Sequence, residues 1–291
     1  MPSQTIQWFP GHMAKTRRMI AENLKNVDVV IELLDARIPY SSRNPEIRQL
    51  CAQKPRLVLL NKSSLADPMA TKAWCQRYRD DMTACLETDC ATGEGLPRIV
   101  PALRELCREK LNKYQEKGMN GRAIKVMVLG IPNVGKSSLI NKLCGNKKAK
   151  VENRPGVTLN KQWVPTENGL LLLDMPGILW PKFDETTVAE NLALTGAIKD
   201  DVMDVESLAT ILCGRLREQY PDQLMARYKM QDIPARDDAD DFALLELIGR
   251  KRGFLVSGGE VNTERTAMML LDEFRAAKIG RITLDSFEKR T

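Results

Sequence analysis

The chain has 291 residues, 43% of them hydrophobic and 28% charged, which is the balance of a globular protein. This length exceeds one typical domain, so we expect two. No apolar run approaches the roughly 20 residues that span a bilayer, so we expect neither a membrane segment nor a signal peptide. The seven cysteines form no Cys-x-x-Cys pair, which favours reduced thiols and a cytoplasmic location.

The net charge of +6 is unevenly distributed along the chain. Residues 1–185 hold 29 Lys/Arg against 19 Asp/Glu, whereas residues 186–291 hold 15 against 19. A basic first part suggests contact with phosphates, for instance those of a nucleic acid. A solvated basic face is the alternative interpretation.

Short apolar runs in the first part end at polar or glycine-rich turns, which is typical of a buried, mostly parallel sheet. Helical patterns lie between several of them, as at 96–117 and 136–144. The layout predicts an α/β domain with its sites at the carboxyl ends of the strands. The runs are 29–34, 57–60, 84–87, 125–129 and 170–173.

After about residue 185 the apolar residues follow helical spacing instead, with Leu208, Ile211, Leu212 and Leu216 on one face. We therefore predict a first domain over 1–185 and an all-helical domain over 186–291. The predicted helices are 188–199, 205–219, 222–228, 240–252 and 263–278.

A full phosphate-loop motif, Gly130-Ile131-Pro132-Asn133-Val134-Gly135-Lys136-Ser137, lies between a predicted strand and a predicted helix. Its backbone N–H groups and the N-terminus of the following helix are expected to bind phosphates. Lys136 is expected to contact the β- and γ-phosphates, and Ser137 to ligate Mg²⁺. The candidate phosphate-binding residues are Asn133, Val134, Gly135, Lys136, Ser137, Ser138 and Gly177.

Two further motifs complete a nucleotide switch. Asp174-Met175-Pro176-Gly177 ends a strand, where Asp174 suits Mg²⁺ and the Gly177 N–H suits the γ-phosphate. Between the motifs, Arg154-Pro155-Gly156-Val157-Thr158 is interpreted as the first switch, with Gly156 and Thr158 as switch residues. Thr158 would join Ser137 and Asp174 as a Mg²⁺ ligand only when the γ-phosphate is present.

The motifs that read the base precede the phosphate loop. Asn61-Lys62 closes a strand as the start of an Asn-Lys-x-Asp motif does, and Asp89-Cys90-Ala91 stands where Ser-Ala-Lys is expected. We take Asn61, Lys62 and Cys90 as candidate base-binding residues. In ordinary GTPases these motifs follow the phosphate loop, so their order here is circularly permuted.

The permuted order, the N-terminal Trp8-Phe9-Pro10-Gly11-His12-Met13 and the segment from Asp174 to Pro181 together resemble the YlqF-type, or ribosome biogenesis GTPase A, family. The resemblance covers essentially the whole chain. It implies a circularly permuted P-loop GTPase domain followed by a helical domain. It also implies GTP/GDP and Mg²⁺ as ligands, and the large ribosomal subunit and its RNA as partners. We expect the protein to be a monomer in solution.

The resemblance also implies a role for His12, the single histidine of the chain. Many GTPases carry a glutamine after Asp-x-Pro-Gly that orients the attacking water, but here that residue is Ile178. In this family the N-terminal histidine is the proposed substitute; alternatively, His12 contacts RNA or packs locally. Asn133 matches a position linked to K⁺ in related GTPases, with a plain loop role as the alternative.

The sequence departs from the family at the base-reading carboxylate, because Ser64 stands where the aspartate of Asn-Lys-x-Asp is expected. A hydroxyl does not reproduce the bidentate geometry of a carboxylate, and Asp67 lies three residues too late. The loss of charged hydrogen bonds predicts a weak or relaxed preference for guanine.

Three functions therefore stay open at the level of sequence. The first is a GTPase in large-subunit assembly, and the second is an RNA or ribosome adaptor with little nucleotide turnover. The third is an ATPase or a broad nucleoside triphosphatase. Lysines and arginines near the predicted switch, at Lys15, Arg17 and Arg18, and at 250–252 are the candidate RNA contacts.

Overall fold

The computed structural model describes residues 10–119, 121–145, 162–180, 185–198 and 204–287, without the side chains of residues 10–13 and 162. Its strands are β1 (Val29–Asp35), β2 (Arg56–Asn61), β3 (Thr83–Glu87), β4 (Ile124–Gly130), β5 (Gln162–Pro165) and β6 (Leu170–Asp174). They form one sheet in the order β3-β2-β1-β4-β6-β5, in which β5 alone runs antiparallel to its neighbour.

All five predicted apolar runs are strands of this sheet, and all five are parallel, which confirms the predicted α/β fold. The edge strand β5 was not predicted. It has four residues and ends at Pro165. A short strand with a proline is tolerated at a sheet edge, where one side of the backbone needs no partner, but it leaves little pattern in the sequence.

Eleven helices are present among the described residues, and the predicted pattern over 96–117 divides at Cys107 into two of them. The helices are α1 (Pro10–Leu24), α2 (Pro45–Leu50), α3 (Pro68–Arg77), α4 (Ile99–Leu106), α5 (Arg108–Glu116), α6 (Lys136–Leu143), α7 (Thr186–Leu194), α8 (Val205–Gln219), α9 (Pro221–Tyr228), α10 (Asp241–Arg252) and α11 (Thr263–Arg275).

The two faces of the sheet pack against different helices, because side chains alternate along a strand. Ile31 and Leu33 of β1 belong to a large core that also contains Ile99 and Leu103 of α4. Val30, one position away, packs in a second core with Ile20 of α1. Apart from Glu32 and the terminal Asp35, β1 is apolar, which follows from this burial on both sides.

The described residues after 185 are mainly helical, as predicted, with α8, α10 and α11 packed together. The chain then returns to the first domain. The Ile282 N–H donates to the Leu65 carbonyl at 3.2 Å, and the Leu284 N–H donates to the Arg37 carbonyl at 2.8 Å. Because residues after 280 pack on the first domain, the boundary at residue 185 stays a prediction. No helix in the described ranges is long and apolar enough to cross a bilayer.

A buried ion cluster joins the end of β1 to the rest of the fold. Asp35 accepts hydrogen bonds from the Arg37 guanidinium at 2.7 and 2.9 Å and from Lys62 Nζ at 3.0 Å. Burial alone would raise the pKa of Asp35, but the charges of Arg37 and Lys62 bring it far below its ordinary value. Arg37 also donates to the Thr195 carbonyl at 3.3 Å, so the cluster reaches the helical region.

We expect Asp35→Asn to lower the free energy of unfolding by about 3–5 kcal/mol, because it leaves the buried Arg37 and the half-buried Lys62 without their counter-charge. The folded pKa of Asp35 is lowered, so this stabilisation is fully present above the ordinary carboxyl pKa and is lost progressively as the pH falls from there toward the much lower folded pKa. Urea unfolding near pH 7 measures the change.

The matched control is Glu105→Gln, which removes an exposed ion pair to Arg108 with the Glu105 side chain 67% exposed. We expect this control to cost at most about 1 kcal/mol. Equal effects of the two substitutions would show that the buried cluster does not hold the junction.

Candidate functional site

The carboxyl ends of the parallel strands bring the separated motifs to one edge of the sheet. The phosphate loop follows β4, Asp174 ends β6, and Asn61 ends β2. In the sheet register, Leu33 of β1 lies beside Gly130 of β4, and Asp35 lies beside Asn61. The chain order of the motifs is therefore irrelevant to their assembly, which is how a permuted order can form the same site.

Backbone conformation fixes the phosphate loop. Gly135 has φ of +106°, and a Cβ there would lie 2.4 Å from the Asn61 amide nitrogen. Gly130 has φ of +157° and passes so close to β1 that a Cβ would lie 2.6 Å from the Leu33 carbonyl oxygen. Asn133 adopts the left-handed region with φ of +57°. These positions let consecutive backbone N–H groups turn toward one point.

Lys136 begins α6 and its ammonium group is turned into the phosphate loop. Nζ donates to the carbonyls of Ile131 at 2.8 Å and Gly130 at 3.1 Å. Burial lowers the pKa of Lys136 to about 8, against the opposing effect of the Asp174 carboxylate. Two neutral carbonyls compensate a buried cation poorly, so an incoming phosphate would be a better partner.

Asp174 and Ser137 fit a Mg²⁺ ion. Asp174 is 6% exposed, and its Oδ1 is buried with no hydrogen-bond partner among the described residues. Burial raises the pKa of this carboxyl, although the Lys136 ammonium opposes the shift. An unsatisfied carboxylate oxygen beside a phosphate loop is the hard ligand that Mg²⁺ requires. Ser137 and Ser138 are half-buried in the first turn of α6.

Gly177 lies against the phosphate loop, where a Cβ would be 2.9 Å from both Lys136 Nζ and the Pro132 nitrogen. The next residue, Ile178, donates its N–H to the Gly130 carbonyl at 3.3 Å and packs in the apolar core with Leu129. The side chain at the glutamine position is thus a core residue, which agrees with its apolar character.

The Asn61 carboxamide joins the base-side loops to the phosphate loop. Its nitrogen donates to the Val134 carbonyl at 2.7 Å, and its oxygen accepts from the Cys90 N–H at 3.0 Å. The next residue, Lys62, is left-handed with φ of +60°, and Asp35 holds its ammonium. The structure therefore brings Asn61, Lys62 and Cys90 together with the phosphate loop.

Ser64, which stands at the position expected for the base-reading aspartate, is hydrogen-bonded to Asp89. Ser64 donates from Oγ to Asp89 Oδ2 at 2.5 Å and from its backbone nitrogen to the same oxygen at 3.3 Å. Asp67 instead caps α3 through the N–H groups of Met69 and Ala70, so it has a structural partner of its own. Sequence reasoning missed the role of Asp89, although Ser and Asp stand at exchanged positions in the two base-side motifs.

Some candidate residues fall outside what the structure describes. Gly156 and Thr158, and the basic residues near them, lie outside the described ranges. His12 lies in the first turn of α1, and its side chain is also outside the description. Asn133 donates from its amide nitrogen to the Gly196 carbonyl at 3.0 Å, which ties the phosphate loop to the helical region.

The basic segment at the end of α10 is only partly available to a partner. Arg252 donates to both carboxylate oxygens of Glu273, at 3.0 and 3.2 Å, so its charge is compensated within the fold. Arg250 and Lys251 are exposed. At the other end of the chain, Lys15 and Arg17 are exposed on α1.

We expect Lys136→Ala to weaken the binding of GDP and ADP alike by more than tenfold, because a charged hydrogen bond to phosphate is lost. The free energy of unfolding of the nucleotide-free protein should stay within about 1 kcal/mol or rise, because a poorly compensated buried cation is removed. Calorimetry and urea unfolding measure the two quantities. Lys142→Ala, an exposed lysine of the same helix, is the control and should change neither.

A family model described as 50S ribosome-binding GTPase matches residues 125–229. The Ribosome biogenesis GTPase A of Priestia megaterium is 48% identical over 282 residues, which cover 97% of this chain and 96% of that protein. The Mitochondrial ribosome-associated GTPase 1 of Mus musculus is 34% identical, with 96% and 90% covered.

Solved structures agree with these relatives. GNP-bound YlqF from T. maritima matches with a TM-score of 0.60 and 25% identity, covering 93% of this chain and 97% of that one. A GDP-bound YlqF structure matches with a TM-score of 0.63 at the same identity. With its permuted phosphate and base motifs at one sheet edge and relatives of this identity over nearly its whole length, the chain belongs to the ribosome biogenesis GTPase A family.

Proposed function

We propose that this GTPase assists late assembly of the large ribosomal subunit by binding ribosomal RNA in a nucleotide-dependent manner. The observation that carries the proposal is the pairing, at one sheet edge, of a poorly compensated Lys136 with an Asp174 oxygen that no described residue satisfies. Such a site gains its partners from a nucleotide phosphate and a cation. The names of the relatives supply the ribosome as the setting.

In this proposal the chain's own groups position the nucleotide. The N–H groups from Asn133 to Ser138 and that of Gly177 hold the phosphates, and Lys136 neutralises them. Ser137, Asp174 and, with GTP, Thr158 would hold Mg²⁺, which when bound offsets charge on the β- and γ-phosphates. Thr158 and Gly156 would respond to the γ-phosphate. Asn133 would ligate K⁺ through its side-chain oxygen, because its nitrogen already donates to Gly196.

His12 would orient the attacking water. Ile178 is 6% exposed and apolar, so the usual position supplies no hydrogen-bonding group. His12 lies at the start of α1, which packs through Ile20 on the same core as Ile178. We take the N-terminal segment to reach the phosphate side of the sheet, where a neutral imidazole has the donor and acceptor that water positioning needs.

The RNA surface would combine two regions. Exposed Lys15, Arg17 and Arg18 follow His12 on α1, so RNA contact and water positioning share one helix. Arg250 and Lys251 are exposed on residues 186–291, the proposed ribosome-binding domain. Phosphate contacts of this kind weaken steeply as salt increases. We further propose that the protein is a cytoplasmic monomer.

Multiple-turnover hydrolysis of GTP and ATP, with and without purified large subunits, tests the proposed function. We expect slow GTP hydrolysis by the protein alone and a marked increase with large subunits, together with subunit binding that weakens between 50 and 200 mM salt by about 10³-fold or more for six contacts. Absence of turnover even with large subunits and K⁺ would contradict the proposed GTPase activity. It would favour the alternative function, an RNA or ribosome adaptor. Equal turnover of ATP would indicate a broad nucleoside triphosphatase.

We expect His12→Ala to lower the subunit-stimulated kcat by about 100-fold or more without changing GDP affinity, because positioned proton acceptors contribute about that factor. Lys15→Ala is the matched control on the same helix. It should weaken subunit binding and leave kcat at saturating subunits unchanged. If His12→Ala behaved as Lys15→Ala, His12 would be an RNA contact.

A further inference from the structure

The base-side pair of Ser64 and Asp89 is built from two neighbouring strands. Ser64 lies in the turn Ser63–Leu65 after β2, and Asp89 follows β3. Since β2 and β3 are parallel, with Leu60 beside Glu87, their following turns meet. Relative to Asn-Lys-x-Asp and Ser-Ala-Lys, the carboxylate and the hydroxyl have exchanged places while remaining in contact at 2.5 Å.

The Asp89 carboxylate has no acceptor capacity left for a ligand in this arrangement. Oδ1 accepts from the N–H groups of Ala91 at 2.7 Å and Thr92 at 3.0 Å. Oδ2 accepts from the hydroxyl and the backbone N–H of Ser64. A carboxylate has about four acceptor positions, and all four are used. Asp89 is also 2% exposed, so a base does not reach it directly.

These bonds determine the direction of the Ser64 hydroxyl. Burial alone would raise the pKa of Asp89, but the hydrogen bonds from Ser64, Thr92 and Ala91 lower it, so the carboxylate is ionised. An ionised carboxylate only accepts hydrogen bonds, and the Ser64 proton is therefore committed to it. Ser64 Oγ keeps two lone pairs and has no proton to donate, and the residue is half-buried rather than closed off.

The turn that carries Ser64 is held in place from the C-terminal segment. Arg281 donates to the Ser63 carbonyl at 2.7 Å and to the Ala66 carbonyl at 2.8 Å. The Ser63 N–H donates to the Thr88 carbonyl at 3.1 Å. The hydroxyl is thus presented at a fixed position three residues after Asn61, where the motif places its base-reading group. Preorganisation of this kind keeps the cost of binding low.

We propose that Ser64, fixed as a pure acceptor by Asp89, reads the Watson–Crick edge of guanine. Guanine offers two donors there, N1–H and the exocyclic amine, and both suit one oxygen with two lone pairs. Adenine offers an acceptor at N1, which faces the same lone pairs and is repelled. Xanthine replaces the amine by a carbonyl and is disfavoured for the same reason. This assignment opposes the relaxed selectivity predicted from the motif alone.

The proposal rests on nucleotide binding at the phosphate loop. Calorimetry with four nucleoside diphosphates in the presence of Mg²⁺ distinguishes a failure of base reading from a failure of nucleotide binding. We expect GDP to bind most tightly, IDP more weakly because it lacks the amine, and XDP and ADP at least tenfold more weakly than GDP. Equal affinities for GDP, XDP and ADP would overturn the base-reading pair alone. Failure of every diphosphate to bind would overturn the proposed function as well.

Exchanging the side chains of Ser64 and Asp89 tests whether the two residues act together in base recognition or whether Ser64 is merely a lost aspartate. Under the proposal, Ser64→Asp alone weakens GDP binding at least tenfold, because it places two carboxylates in contact. The double variant Ser64→Asp/Asp89→Ser restores GDP selectivity, because it recreates the ordinary arrangement. If Ser64→Asp alone strengthened GDP binding and Asp89→Ser had no effect, the serine would be an isolated defect and the proposal would be wrong.

Asp89→Asn tests the direction of the hydroxyl with little change of shape. An amide can donate to Ser64, so the hydroxyl proton is no longer committed, and the ratio of GDP to ADP affinity should fall at least tenfold. ADP affinity should stay unchanged or rise, because a free hydroxyl can donate to adenine N1, and an affinity no weaker than that of the natural chain reports an intact phosphate loop and fold. A ratio equal to that of the natural chain would contradict the role of Asp89.

Discussion

The two hydrogen bonds of the Asn61 carboxamide hold the nucleotide site together. One reaches Val134 in the phosphate loop, and the other reaches Cys90 in the loop after β3. Three segments that are distant in the chain therefore share one buried side chain. Gly135 lies so close to Asn61 that no side chain fits between them. The base half and the phosphate half of the site consequently have a fixed spacing, which is what recognition of a whole nucleotide requires.

Buried charge connects this site to the helical region. Asp35 is paired with Arg37 and Lys62, and Arg37 continues to the Thr195 carbonyl and lies 5.8 Å from the centre of the Phe274 ring. Arg281 of the C-terminal segment holds the turn that carries Ser64. The helical region thus contacts the base-side loops through backbone carbonyls and one ion cluster.

The sequence was sufficient for the parallel strands and the phosphate loop because both depend on local pattern. Apart from the buried Glu32, residues 29 to 34 are apolar because both faces of β1 are covered, and the glycines at 130 and 135 are required by the backbone conformation there. It was insufficient where partners come from distant segments. Ser64 looked like the loss of a carboxylate because its contact with Asp89 exists only once β2 and β3 are paired. The edge strand β5 and the return of residues 282–284 to the first domain are likewise tertiary features.

The central claim is that the phosphate half of the site keeps its usual groups while the base half reads guanine through a rearranged pair. A crystal structure of the protein with GDP and Mg²⁺ tests it directly. We expect Ser64 Oγ to lie about 3 Å from both N1 and the exocyclic amine of guanine, with Asp89 still hydrogen-bonded to Ser64. A guanine edge that meets neither residue, or meets Asp89 after its bond to Ser64 has broken, would contradict the account.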